Sequence, residues 1–588
     1  PLWVSTAACV IIDRTTAVLI AVMLPRLIAL IILPLLAACA TTPAPVTEQA
    51  SMEPEPVAET TTIELPERPL PDESVYPLLV AEFALRRREY GVALDEYMTQ
   101  APELRDPGVS AHATHLAQFM RREPEALEAA QLWVELEPDN VEANNTLANL
   151  LVRRGRTLEA VPYVAAVARA GEDANFPVLL NGFRRLSPQE QADLVIAIND
   201  LAREFPDNGR LLLTQALIHE EMGQSDQALD KLDRIFKDDP YQQQAMLLES
   251  KLLLERGSRK PFARIERALE ANPDDNRLRL QYARLLTQGD IDAARTQFEI
   301  LSERAPRDSD ILYSLALINR EMGDSTAAKD YLKQLIELGE RADDAHYYLG
   351  RIEEEDGNLS EALDHYARVG PGRDFLSANG RIGKILIEEG KLEQSQTHFA
   401  ALRAANPEER EQLYAIEAEL LGNAEYLDIA LTLLNLGLSE YPESTTLRYS
   451  RSMVGEQRDD LALMESDLRY ILEREPDNAT ALNALGYTLA NRTTRYDEAY
   501  DLISKALELQ PEEPAILDSM GWVLYRQGEY EQALVYLNKA FERFPDPEVA
   551  AHLGEVLWVS GDTEGALAIW RAALDDDPEH QILLSTCL

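Results

Sequence analysis

Between Ala479 and Pro578 three marks recur in fixed order: a glycine, an alanine about a dozen residues later, and a proline about a dozen after that. Gly486, Ala499 and Pro511 form one set, Gly521, Ala533 and Pro545 the next, and Gly554, Ala566 and Pro578 the third. The period is about 34 residues, which is the spacing of a two-helix unit that cannot bury its apolar face alone and must stack on copies of itself. Small residues at set points let two helices approach closely. Each proline stops a second helix, because it has no N–H to donate and its ring clashes with the preceding turn. Apolar positions around these marks follow helical spacing. Leu517, Met520, Gly521 and Leu524 make an i, i+3, i+4, i+7 stripe on a first helix, and Ala533, Leu537 and Ala540 continue it on a second. The pattern predicts an all-α solenoid, in which added length means added repeats instead of added domains.

The lattice continues backwards with weaker marks. Ala93, Ala126, Ala160, Ala228, Ala294, Ala328, Ala362 and Ala430 fall on the alanine position, giving about fifteen units from Ser74 to His580. Three places break the pattern. The stretch 172–206 has Leu194 where alanine is due, the unit ending at Pro273 puts Pro261 there, and Pro371-Gly372 interrupts the spacing. Irregular packing is expected at each. The array thus divides into a degenerate part, 74–475, three clear repeats, 476–580, and a short tail, 581–588.

These marks resemble the tetratricopeptide repeat. The resemblance implies a right-handed superhelix of helix-turn-helix repeats whose first helices line a groove that grips peptides or partner domains. One residue on from the core stripe the helix has turned by about 100°, so Asp518, Trp522 and Tyr525 form a second stripe. The preceding unit contributes Asn483 and Tyr487 to it, and the following one Ala551, Glu555 and Trp558. Asn483, Tyr487, Asp518, Trp522, Tyr525 and Trp558 are therefore the expected protein-binding residues, since Tyr and Trp bury large areas while keeping a polar handle. Trp522 and Trp558 also suit an inter-repeat core, and helix rotation alone does not choose between the two roles.

At the other end, residues 23–38 read as a signal peptide: Arg26 supplies the charged start and 27–38 the apolar run. The run ends in Leu36-Ala37-Ala38-Cys39, which resembles the lipobox of bacterial lipoproteins and implies a lipidated (palmitate-bearing) Cys39. In those lipoproteins an Asp after the Cys favours the inner membrane. Ala40 in that place implies anchoring to the outer membrane, facing the periplasm. A transmembrane helix over 17–38 would instead put Arg26 near mid-bilayer, at about 2.5–3.5 kcal/mol. Residues 1–22 are expected to be an upstream extension. From 39 to 73 the chain is rich in Pro, Thr and Glu without helical period, the composition of a disordered tether. Of three cysteines, only Cys39 and Cys587 remain after processing, so no internal disulfide framework is expected.

A formal charge of −46 keeps an open surface soluble, argues against nucleic acid and favours basic partners. No motif for catalysis, metal or cofactor stands out. Gly383-Lys384 only imitates a phosphate loop, with Ala378 in place of its first glycine and Ile385 in place of its hydroxyl. His112 and His115 share a helix face, but no third ligand accompanies them. The chain is therefore expected not to be an enzyme.

The segments Asn483-Ala-Leu-Gly-Tyr-Thr-Leu-Ala490, Thr493-Thr-Arg-Tyr-Asp-Glu-Ala-Tyr500 and Ala515-Ile-Leu-Asp-Ser-Met-Gly-Trp522 resemble the tetratricopeptide-repeat outer-membrane lipoproteins of Gammaproteobacteria. That group includes the lipoprotein partner of the periplasmic carboxyl-terminal processing protease. The resemblance implies a non-catalytic adaptor that binds this serine protease and its peptidoglycan-hydrolase substrates and promotes proteolysis. The alternative it leaves open is a scaffold lipoprotein for envelope assembly, such as exopolysaccharide export or pilus biogenesis.

Overall fold

The computed structural model describes residues 70–576 and 583–584. The signal segment 23–38, Cys39, nearly all of the 39–73 stretch, Pro578 and Cys587 lie outside them. The chain divides into two compact units, one ending at Asp324 and one beginning at Ser325. Each is a series of helix pairs, and no strand occurs among the described residues. From Asp72 to Asp576 there are fourteen such pairs and one irregular unit.

Local chemistry sets where the helices begin and turn. Many first helices start on a side chain that accepts one of the otherwise unpaired N–H groups of the first turn, as Asn140, Asn208, Asp308, Asn478 and Asp546 do. Within most pairs the chain reverses through one residue in the left-handed region. That residue is glycine at Gly155, Gly323, Gly357, Gly528 and Gly561, but Arg88, Arg121, Glu425 and Asp459 occupy the same place at φ 64, 60, 64 and 61°. A side chain there costs about 1–2 kcal/mol by crowding its Cβ against the carbonyl.

Packing follows the sequence marks. Ala93, Ala126, Ala160, Ala228, Ala294, Ala328, Ala362, Ala430, Ala499, Ala533 and Ala566 are all 0% exposed. The glycine of each clear first helix is a socket for the large side chain one turn beyond the alanine. A Cβ on Gly521 would stand 2.5 Å from Leu537 Cγ, and one on Gly554 would stand 2.1 Å from Trp570 Nε1. The same fit pairs Gly486 with Ile503, Gly383 with Phe399 and Gly350 with Tyr366. Gly383 therefore lies inside the helix Phe375–Glu388 as a packing residue, not in a loop.

First helices also touch the first helices of adjacent repeats, as Ala479–Arg492 touches Pro514–Gln527 and Pro514–Gln527 touches Pro547–Ser560. Ion pairs about one repeat apart join consecutive units. Arg169 meets Glu204 at 2.7 Å, Lys329 meets Asp356 at 2.7 Å and Lys505 meets Asp477 at 2.9 Å. Arg153–Glu123, Arg458–Asp428, Arg492–Asp459 and Arg543–Glu512 do the same.

All three expected irregularities are present. In 172–206 the first helix is replaced by two 3-10 turns, Phe176–Leu180 and Phe183–Arg185, and Leu194 fills the resulting space at 0% exposed. Pro261 delays its second helix to Ala263–Ala271, and Pro371-Gly372 follows a second helix cut to Leu359–Tyr366.

Candidate functional site

The most unusual polar arrangement lies where four first helices follow one another: Thr445–Gln457, Ala479–Arg492, Pro514–Gln527 and Pro547–Ser560. At its centre His552, 2% exposed, holds Asp518 through Nδ1 at 2.9 Å from Oδ2. Its ring stacks on Trp522 with centroids 4.1 Å apart. Tyr487, from two repeats before, reaches the other nitrogen, with Oη 3.5 Å from Nε2. Tyr525 lies 5.2 Å from Trp522 and donates its hydroxyl to Glu555 at 2.9 Å. Thr488 donates to Glu456 at 3.3 Å, which ties the helix Thr445–Gln457 into the group. Two buried atoms of the same face, Trp522 Nε1 and Asn483 Oδ1, have no hydrogen-bond partner.

Burial sets the electrostatics. It works against an imidazolium at His552, but Asp518, with Glu548 and Glu555 behind it, outweighs burial and holds the pKa above its ordinary value. Burial pushes the Glu548 carboxyl up to about 7, helped by Asp518, Asp546 and Glu456 and opposed by His552. Burial also raises Glu456, against the pull of Thr488 and Arg492. It raises Tyr525 to about 12, with Glu555 adding to the shift.

Of the residues expected on sequence grounds, Tyr487, Asp518, Trp522 and Tyr525 come together. Asp518 and Trp522 are each 7% exposed, so they form the floor, and Trp522 also belongs to the inter-repeat core. Asn483 is half-buried beside Tyr487 on the same helix. Trp558 stands apart: it is 48% exposed, and its ring lies 5.9 Å from that of Trp570. His552, Glu548 and Glu456 were not anticipated. The signal for the first two was present in Glu548, His552 and Glu555, an i, i+4, i+7 polar stripe one turn earlier than the stripe through Trp558.

Elsewhere, His112 packs on Tyr97 at 5.7 Å, whereas His115 packs on Trp133 at 5.5 Å and meets Glu142 at 3.2 Å, so the two rings serve different neighbours. The helix Asp72–Arg86 exposes Tyr76, Leu79 and Phe83 at i, i+3 and i+7, by 75, 50 and 57%. This apolar side was not anticipated either.

Family models described as "Tetratricopeptide repeat" match residues 477–546 and, with a second model, 284–328, 319–373 and 519–580. A TPR repeat-containing protein of Pseudomonas aeruginosa is 42% identical over 507 residues, which is 85% of this chain and 86% of that one. Among solved structures, yeast Tom70 is 14% identical, with a TM-score of 0.34, over 88% of this chain and 99% of its own. A thermophilic TPR protein of Thermus thermophilus is 21% identical, with a TM-score of 0.28, over 30% of this chain and 95% of its own. Tetratricopeptide repeats imply a scaffold for protein–protein interaction, and scaffolds of this kind are generally non-catalytic. Since a relative at this identity spans most of both sequences, the chain belongs to the family of tetratricopeptide-repeat proteins.

Proposed function

We propose that this chain is a non-catalytic adaptor, anchored to the outer membrane through a lipid on Cys39, that holds a periplasmic carboxyl-terminal processing protease together with its peptidoglycan-hydrolase substrates. The observation that carries this reading is the face around His552. Aromatic rings and carboxylates from four repeats meet there, and a buried donor and a buried acceptor are left without partners. Unpaired buried polar atoms cost about 1–3 kcal/mol each, which a bound segment of a partner protein would recover. The naming of protease and hydrolases rests on the resemblance of the segments at 483–490, 493–500 and 515–522. An adaptor needs a second surface, and the exposed side of Asp72–Arg86 with Tyr76, Leu79 and Phe83 supplies one. Holding enzyme and substrate on one chain makes their encounter effectively intramolecular and adds no catalytic group.

The test is reconstitution of the full-length chain with the purified protease and a candidate hydrolase. Cleavage should accelerate in its presence. Tyr525→Ala, which removes a half-exposed ring, should weaken substrate capture by about 1–2 kcal/mol, while Phe83→Asp should weaken protease capture and leave substrate capture intact. If neither protein binds and the cleavage rate is unchanged, the adaptor reading fails.

A further inference from the structure

The charge around His552 is unbalanced. Basic side chains elsewhere are used to pair carboxylates of neighbouring repeats, as Arg169 pairs Glu204 and Lys505 pairs Asp477. Around His552 the carboxylates of Glu456, Asp518 and Glu548 lie near enough to act on one another's ionisation, and the opposing charges are one imidazole, bonded to Asp518, and, at Glu456, Arg492, which is itself paired with Asp459. Asp518 is bonded to that imidazole, Glu456 accepts only from the Thr488 hydroxyl, and no ion pair forms at Glu548. Into the same nest the structure puts the Trp522 indole, more than nine-tenths buried and stacked on His552, with an N–H that meets no acceptor. Asn483, one repeat earlier, leaves a buried oxygen without a donor.

We propose that this nest, formed by Glu456, Tyr487, Asp518, Trp522, Glu548 and His552, takes the positively charged side chain of a lysine or arginine carried on an extended segment of a partner protein. The proposal rests on the reading of this face as a binding surface and names what it recognises. A cation balances the surplus carboxylate charge and lies against aromatic faces, whose quadrupole attracts it. A peptide unit beside it brings one C=O, for the Trp522 N–H, and one N–H, for the Asn483 oxygen, which are the two groups that lack partners. An acidic ligand would face three carboxylates. An apolar one would leave the unpaired donor and acceptor as they are. A bare metal ion lacks its ligand set, because among the described residues no three His, Cys, Asp or Glu side chains are grouped to hold one.

The occupant also accounts for the state of Glu548. Its carboxyl is held up at about 7 by burial and by Asp518, Asp546 and Glu456, with only His552 opposing. A bound ammonium or guanidinium group favours the ionised form. Raising the pH therefore aids binding twice, by ionising Glu548 and by removing the charge of His552, which competes with the ligand.

The experiment is calorimetric titration of the full-length chain with acetyl-Gly-Ala-Lys-Ala-Gly-amide and with the same peptide carrying norleucine or glutamate in place of lysine. The lysine peptide should bind about tenfold more tightly than the norleucine one, and the glutamate peptide should not bind. Affinity for the lysine peptide should rise several-fold from pH 6 to pH 8. Glu548→Gln, an isosteric change at a partly buried position, should keep the helical circular dichroism, weaken lysine-peptide binding about fivefold and flatten its pH dependence. Trp522→Phe, which keeps a stacked ring and loses the N–H, should weaken lysine and norleucine peptides alike. Equal affinity for lysine and norleucine, no binding of the lysine peptide at millimolar concentration, or an unchanged profile in Glu548→Gln would each overturn the proposal. The titration contains no protease. Lysine selectivity without stimulated proteolysis sinks the adaptor reading alone, and stimulated proteolysis without lysine selectivity sinks this one alone.

Discussion

Ala533→Arg is expected to unfold the helix pair Pro514–Gln527 and Tyr530–Arg543 while the pairs before Ser444 keep their protection. Ala533 is fully buried, and its carbonyl oxygen stands 3.1 Å from where a Cβ on Gly521 would be, so the two backbones leave no room for a longer side chain. A guanidinium forced into that contact has no partner, and overpacking adds to the cost, for a total of about 4 kcal/mol or more. Because each pair buries its face only against neighbours, the loss should stay local. Hydrogen exchange should show protection falling between Gly521 and Pro545, with a smaller fall in the pairs on either side that share the same core. Even loss of protection from Ser325 to Asp576 would contradict a stack governed by nearest neighbours.

The second large effect is expected at Asp518. In the native protein His552 has a pKa above its ordinary 6.5, because Asp518 outweighs burial. Asp518→Asn removes the charge and leaves burial dominant, so the pKa should fall below that value. The imidazole proton resonances followed against pH would report the reversal. Below the unfolded pKa near 6.5 the raised value contributes its full share of stability, and this share is lost as pH rises through the folded pKa. Glu548 acts in the same sense, since its raised pKa also makes the folded chain hold a proton that the unfolded chain releases between about 4.5 and 7. The stability contributed by this site should therefore decline from pH 5 to pH 8, so the loss caused by Asp518→Asn, about 3 kcal/mol at the acid end, should shrink as the pH rises. A His552 resonance that titrates identically in both proteins would refute the assignment.

The helix lattice was legible because it depends on volume. Small residues let the helices of a pair approach closely, so Gly521, Ala533 and their counterparts recur at the repeat interval, although Ser395 and Met464 hold the alanine place in two pairs. The turns were less legible because they depend on strain that another residue can tolerate. Every left-handed turn between the two helices of one pair inside the segments matched by the family models uses glycine, at 323, 357, 528 and 561, whereas Arg88, Arg121, Glu425 and Asp459 lie outside them; Arg341, at φ 53° inside a matched segment, joins one pair to the next. The site was legible in part. Asp518, Trp522, Tyr487 and Tyr525 share a face because the second stripe follows directly from the core stripe on a single helix. Extending the same register to the next helix selected Trp558 and passed over His552. The residue that meets Asp518 is one position beyond its formal equivalent, Ala551, and a one-residue offset rotates a helix by about 100°. The polar stripe Glu548, His552 and Glu555 on that next helix was the one mark of the offset in the sequence.

The ion pairs between consecutive repeats bear on how sharply the array melts. Arg153–Glu123, Arg169–Glu204 and Lys505–Asp477 lie at the solvent edge, where each contributes about 0.2–1 kcal/mol and is screened within about 8 Å at physiological salt. They add a salt-sensitive part to the coupling that the shared apolar core supplies between one pair and the next, while the alanine and glycine contacts hold each pair together from within and are insensitive to salt. Salt thus acts on cooperativity more than on cohesion. At 1 M sodium chloride the calorimetric transition should broaden modestly, because the shared apolar core still couples neighbouring pairs, with a midpoint that moves less than its width.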